Sequence, residues 1–173
     1  MPDTYLDHAA TTPLRPDAAA APGPLRGAAF GHPSAPPPRR LLDDARDVVA
    51  EVVGARPGEV VFTSGGTEAD NLAVAGVAEA SAGRVVCSAT EHHAVLAPVA
   101  ARRGDLLVVG PDGRIDLAAL AQELSADRSV SLLSVMTANN EVGTVQPIAE
   151  IVELVAHLSP ATVVHTDAGA AAP

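Results

Sequence analysis

Four short segments combine residue types that do chemistry, and each follows a run of β-branched and aliphatic residues. Thr63-Ser64-Gly65-Gly66-Thr67-Glu68 places two glycines where a strand gives way to a helix. Free amides at such a helix start, with the Thr67 hydroxyl, cradle a phosphate; a glycine turn of purely structural use has the same pattern. Thr90-Glu91-His92-His93-Ala94-Val95 offers an imidazole that lies over an aromatic ring, shuttles a proton, or merely sits in a loop at a helix start. Ala138-Asn139-Asn140-Glu141-Val142-Gly143 suits a tight loop whose amides face a ligand, and an ordinary turn equally. In His165-Thr166-Asp167-Ala168 the aspartate either caps the next helix or pairs with a cationic ring nitrogen.

The elements that must position these residues follow from periodicity. Leu42, Ala45, Val48, Val49, Val52 and Val53 recur at helical spacing, and Gly54 stands where a helix-terminating glycine belongs. Glu59–Thr63 reads as a buried strand and Glu68–Ala80 as a helix. Arg84–Ser88, Leu106–Val109, Val130–Val135 and Thr162–His165 read as further strands. Helices are expected over Ala94–Ala101 and Ile148–Leu158, with another beginning after Asp116, a good N-cap. Strand and helix alternating at this rhythm give an α/β domain, a mostly parallel sheet with helices on both faces. Its functional loops lie at the carboxyl ends of the strands, so Thr67, His92, Asn140 and Asp167 are expected to converge on one cleft there. Residues 1–40 differ. Pro22, Gly23, Pro24, Gly27 and the run Pro36-Pro37-Pro38 predict an irregular arm, leaving 41–173 as the domain.

Composition narrows the function. A formal net charge of −10 argues against nucleic acid, whose phosphates need a basic face, and gives no support for an anionic membrane surface. No apolar run approaches the ~20 residues of a membrane span, and the first residues resemble no signal peptide. Aromatic residues are only 2% of the chain, so a core must be built from Ala, Val and Leu. The single cysteine, Cys87, cannot form an internal disulfide, and a reducing cytoplasm is the simplest compartment. All 11 basic residues are arginine, so the chain has no lysine.

Taken in order, the four segments resemble the cysteine desulfurases of the class V aminotransferase-like group. Tyr5-Leu6-Asp7-His8-Ala9-Ala10-Thr11-Thr12-Pro13 is similar to that family's opening arm and Gly31-His32-Pro33-Ser34 to its next arm segment. The resemblance spans nearly the whole chain as the N-terminal part of a fold type I large domain. It implies pyridoxal phosphate as cofactor, with Gly66 and Thr67 at its phosphate and His92 stacked on its ring in a catalytic position. It likewise implies Asn140 near the substrate carboxylate and the cofactor, and Asp167 paired with the pyridinium nitrogen. The implied reaction takes sulfur from L-cysteine to give alanine and a protein persulfide, as in iron-sulfur cluster assembly. A homodimer or a complementing C-terminal polypeptide, and a sulfur acceptor protein, are the implied partners. Glu68 reads as an anion favoured by the helix dipole, and His93, His165 and Cys87 as structural.

The sequence also departs from the family pattern. Ala170 stands where a glutamine normally bonds the cofactor's ring hydroxyl, and His8 and His32 stand where asparagine is usual. The stretch after Ser34 is shorter than in the family. The segments carrying the cofactor-attaching lysine and the persulfide-forming cysteine would lie beyond Pro173. Any cofactor binding by this chain is therefore expected to be non-covalent. Two alternatives stay open: a truncated non-catalytic relative that binds a partner or free cofactor, and another class V enzyme such as a selenocysteine lyase.

Overall fold

The structure, a computed structural model, describes residues 12–20, 36–126 and 129–171. The expectations for residues 5–11 and 22–35, including His8 and His32, lie outside the described residues. Contacts divide the chain into two units, 1–62 and 63–173.

In the first unit, α1 spans Pro16–Ala20 and α2 spans Pro36–Val53, followed by a single 3-10 turn at Pro57–Glu59. The expectation that Pro36-Pro37-Pro38 excludes helix is corrected, because these three residues open α2. The first turn of a helix donates no intrahelical hydrogen bond, so a missing N–H costs nothing there. Arg39 and Arg46 both bond Asp43, at one-turn spacing along α2. Gly54, at φ +69°, ends the helix in the left-handed conformation that glycine tolerates. The strand expected at 59–63 does not form: after the 3-10 turn the chain carries no strand pairing, and Val61 and Phe62 are exposed. A strand needs a neighbour to bond, and none among the described residues pairs with this run.

The second unit is the α/β domain. Helix α3 (Gly66–Ala80) precedes β1 (Arg84–Ser88), then α4 (His93–Ala101), β2 (Asp105–Leu107), α5 (Leu117–Ser125), β3 (Val130–Ser134), α6 (Ile148–Leu158) and β4 (Val163–His165). The sheet is parallel throughout, in the order β2-β1-β3-β4. Period-two alternation sends neighbouring side chains to opposite faces. Val85, Cys87 and Leu132 pack with Val74 of α3 and with Val95 and Val99 of α4. Val86 and Leu133 pack on the other face with Leu120 and Leu124 of α5 and Ile151 and Val155 of α6. The expected α/β architecture with helices on both faces is present.

Local signals explain the element ends. Asp116 caps α5 by accepting from the amides of Ala118 and Ala119. Strand β2 stops at Leu107 rather than at Val109, because the chain turns at residues 110–113 and Val109 instead bridges Ile115 in antiparallel fashion. At the amino end of the sheet, Arg84 of β1 bonds both Asp105 of β2 and Glu123 of α5. Among the described residues no helix is long and apolar enough to cross a membrane.

Candidate active site

Strands β1 and β3 lie side by side, but the chain leaves them in opposite directions. From β1 it passes through α4 to β2; from β3 it passes through α6 to β4 on the other side. Such a reversal opens a crevice beyond the carboxyl ends of the strands, where ligands of open α/β sheets bind. A cavity of about 400 Å³ occupies it, lined by residues 89–93 of the β1–α4 loop and 139–142 of the β3–α6 loop.

His92 is the N-cap of α4: its Nδ1 accepts the Ala94 amide at 3.2 Å, which leaves the rest of the exposed ring to the cavity. Asn140 stands exposed across from it, on a loop organised by its neighbour. The Asn139 side chain donates to Thr90 O (3.1 Å) and accepts from the amides of Glu141 and Val142 (2.9 Å each). Gln146 braces the same loop from behind. Its buried side chain accepts from Ile115 N–H (3.0 Å) and donates to Gly113 O (2.7 Å).

Gly66 and Thr67 form the first turn of α3. The first intrahelical bond runs from Ala69 N–H to Gly65 O, so the preceding amides of Gly66, Thr67 and Glu68 have no helical acceptor. Glu68 accepts from both the amide and the hydroxyl of Ser64 (2.7 and 2.5 Å). The Ser64 hydroxyl, followed by its amide, holds the Glu68 carboxyl below the usual range. Asn71 ties this turn to α4, donating to Thr67 O (2.8 Å) and Ala94 O (3.2 Å). Neither Gly66 nor Thr67 lines the cavity that holds His92 and Asn140.

Asp167 follows β4. Its backbone carbonyl accepts from Thr137 N–H (2.9 Å) and its Oδ1 from Gly169 N–H (2.8 Å). The side chain therefore stabilises a turn, and no helix for it to cap follows among the described residues. Its field also reaches the buried Asp70 of α3, where burial raises the pKa first and Asp167 raises it further; His165 and His92 pull the other way. Glu91 is buried too. Burial pushes its carboxyl up to about 7, against the hydrogen bond from Met136 N–H, and Asp167 and Asp70 add to the rise. His92 and Asp167 thus both act on Asp70, but Asp167, unlike His92 and Asn140, does not line the cavity.

Sequence reasoning missed Asp70, Glu91 and Ser134 as builders of this site. A signal existed for Asp70: it shares the face of α3 that carries Val74 and Val77, at one-turn spacing, where an apolar residue is expected. His165, read as structural, has polar neighbours: its Nδ1 lies 2.9 Å from the Ser134 hydroxyl and its Nε2 3.5 Å from Asp70 Oδ1. Cys87 is fully buried in β1, and burial followed by the Glu91 charge pushes its thiol up to about 12.

Comparison with known proteins agrees along the chain. An IscS-like cysteine desulfurase of Mycobacterium tuberculosis is 44% identical over 163 residues, covering 85% of this chain and 42% of that protein. Putative cysteine desulfurase IscS 1 of Bacillus subtilis is 42% identical over 167 residues, covering 89% and 44%. Among solved structures, a NifS-like protein superposes with a TM-score of 0.82 at 30% identity, covering 93% of this chain and 47% of its own. SspA in complex with cysteine gives 0.81 at 30%, covering 95% and 50%. The chain spans less than half the length of these curated relatives. The profile of aminotransferase class-V matches residues 4–173, and the chain belongs to that family.

Proposed function

We propose that the chain forms the cofactor-holding part of a pyridoxal-phosphate-dependent cysteine desulfurase, which takes sulfur from L-cysteine and leaves alanine and a protein persulfide. The observation that carries this reading is the crevice at the β1/β3 reversal, whose cavity is lined by His92 and Asn140. The residues present suit pyridoxal phosphate at its two charged ends. A protonated pyridine nitrogen answers a carboxylate-rich cleft, and a phosphate answers the unbonded amides of α3. They do not supply an amine for covalent attachment, because the chain has no lysine.

When bound, the cofactor supplies an electron sink for the substrate's α-carbon. Gly66 and Thr67 would hold its phosphate at the start of α3, where the helix dipole favours an anion. His92, fixed at Nδ1 by the Ala94 amide, would support the ring. Asp167, anchored at Oδ1 by Gly169, would keep a proton on the ring nitrogen. Asn140 would orient the substrate carboxylate. Cys87 cannot carry the sulfur, because a buried thiol with a pKa near 12 supplies almost no thiolate. The lysine and the sulfur-accepting cysteine come from further polypeptide, in the same chain or in a partner.

Ala170, where the resemblance puts a glutamine that bonds the cofactor, favours a second reading, a non-catalytic relative that binds the cofactor reversibly. Both readings give the same result for the 173-residue chain alone: reversible binding, no borohydride-trapped adduct by intact mass, and no sulfide from cysteine. Asp167→Asn weakens binding by at least about tenfold, the loss of one charge-assisted hydrogen bond. Unchanged affinity in that variant would overturn the ring-nitrogen assignment. Adding a lysine-bearing C-terminal polypeptide separates the readings, because only the split enzyme then releases alanine and sulfide.

A further inference from the structure

The chain leaving β3 is bound on both sides within residues 136–139. Met136 N–H donates to Glu91 Oε1 at 2.5 Å, which fastens it to the β1–α4 loop. Thr137 bonds the segment after β4 instead. Its N–H donates to Asp167 O at 2.9 Å, and its hydroxyl lies 2.8 Å from that of Thr166. Asn139 returns to the β1–α4 loop, where its Nδ2 donates to Thr90 O at 3.1 Å. Oδ1 of the same side chain accepts the amides of Glu141 and Val142, at 2.9 Å each. One planar amide thus holds the turn that carries Asn140 and, by its other end, the loop that carries His92.

The two ends of that amide have separate uses. An oxygen acceptor is enough to shape the turn, and aspartate does the same in such turns. Only an NH2 group can also bond a carbonyl on the facing loop. The turn has backbone closures of its own, since Asn139 N–H donates to Thr144 O (2.9 Å) and Asn139 O accepts Gly143 N–H (3.0 Å). The bond to Thr90 O is therefore not needed to form it. Asn139 is half-buried and lines the cavity, while His92 and Asn140 on the two loops are exposed.

We propose that Asn139 is a positioning residue whose Nδ2–H bond to Thr90 O clasps the two loops across the cleft and sets the spacing of His92 and Asn140 before any ligand enters. Glu91, through Met136 N–H, is a second fastening between the same loops, and Thr137 extends the hold to the backbone of Asp167. With the walls already held, a ligand seated between them need not order them, which strengthens its binding. The inference deepens the proposed function, because the ligand so prepared for is pyridoxal phosphate. The clasp itself is tested without that ligand.

The test compares hydrogen exchange, residue by residue, in the ligand-free 173-residue chain, Asn139→Asp and Asn139→Ala. In the native chain the Asn139 side-chain protons are expected to exchange about tenfold more slowly than those of exposed Asn140. Asn139→Asp keeps the acceptor and loses the donor. Its Glu141 and Val142 amides stay protected, whereas those of Thr90 and Glu91 exchange about tenfold faster. Asn139→Ala loses protection at both places. A residue that only shapes its own turn would leave Thr90 and Glu91 unchanged in Asn139→Asp, and that result overturns the proposal. So does a native Asn139 side chain that exchanges as fast as Asn140, a measurement that holds even if neither variant folds. With pyridoxal phosphate as probe, both variants are expected to bind about tenfold more weakly than the native chain. Weakening in Asn139→Asp alone would be repulsion between the new charge and the phosphate, and the positioning role fails; it fails also if neither variant weakens. A native chain that binds no pyridoxal phosphate counts against the proposed function, and the exchange data then decide the clasp by themselves.

Discussion

Buried carboxylates govern how this chain responds to pH. Burial raises the folded pKa of Glu91 from 4.5 to about 7, and Asp70 is shifted in the same direction. A raised folded pKa means that the native state binds the proton more tightly than the unfolded chain. The stability it brings is complete below the unfolded pKa and is lost as pH rises through the folded one. For Glu91 that window runs from 4.5 to about 7. At 1.36 kcal/mol per pH unit the swing is on the order of 3 kcal/mol. Urea midpoints measured from pH 4.5 to 8 should fall more steeply for the native sequence than for Glu91→Gln, and parallel curves would contradict the assignment. Thr67, His92, Asn140 and Asp167 stood out in the sequence because each sits in a polar cluster just after an apolar run. Ser134 did not, because its partner His165 lies across the sheet, and register cannot be read from one strand alone.

At the level of elements, two crossovers that part at β1 and β3 create the crevice, and loops hung from those strands furnish its walls. The β3–α6 loop is held by the buried amide of Gln146, which bonds both Ile115 and Gly113. Gln146→Ala leaves those backbone groups without partners and should cost about 1–3 kcal/mol. Faster hydrogen exchange at the Ile115 amide would locate the damage; unchanged exchange would mean that the loop is held elsewhere. Most elements were legible in the sequence. The four strands of the sheet and helices α3 to α6 are where periodicity and caps such as Asp116 put them, within a few residues at their ends. The exceptions have local causes. Proline is read as a helix breaker although the first turn of α2 tolerates it. The apolar run Val60-Val61-Phe62 looks like a strand, but pairing requires a neighbour that sequence does not reveal.

At the scale of the whole molecule, the parallel α/β order could be read because strands and helices alternate strictly from α3 onward. The division at residues 62 and 63 could not, since no shift in composition marks it. One feature of the sheet has a practical consequence. Cys87 is the chain's single thiol, enclosed in the second strand of the sheet order between α3, α4 and the neighbouring strands. A thiol reagent can meet it only during excursions that part these layers. The labelling rate is then the opening equilibrium multiplied by the intrinsic rate of a free cysteine. At pH 8 it should be slower than in the urea-unfolded chain by several orders of magnitude, and pyridoxal phosphate should slow it further if the cofactor favours the closed form. Equal rates in native buffer and urea would show that β1 is not enclosed. Cys87 thereby serves as a stopwatch for the sheet, each modified molecule recording one breach of its layers.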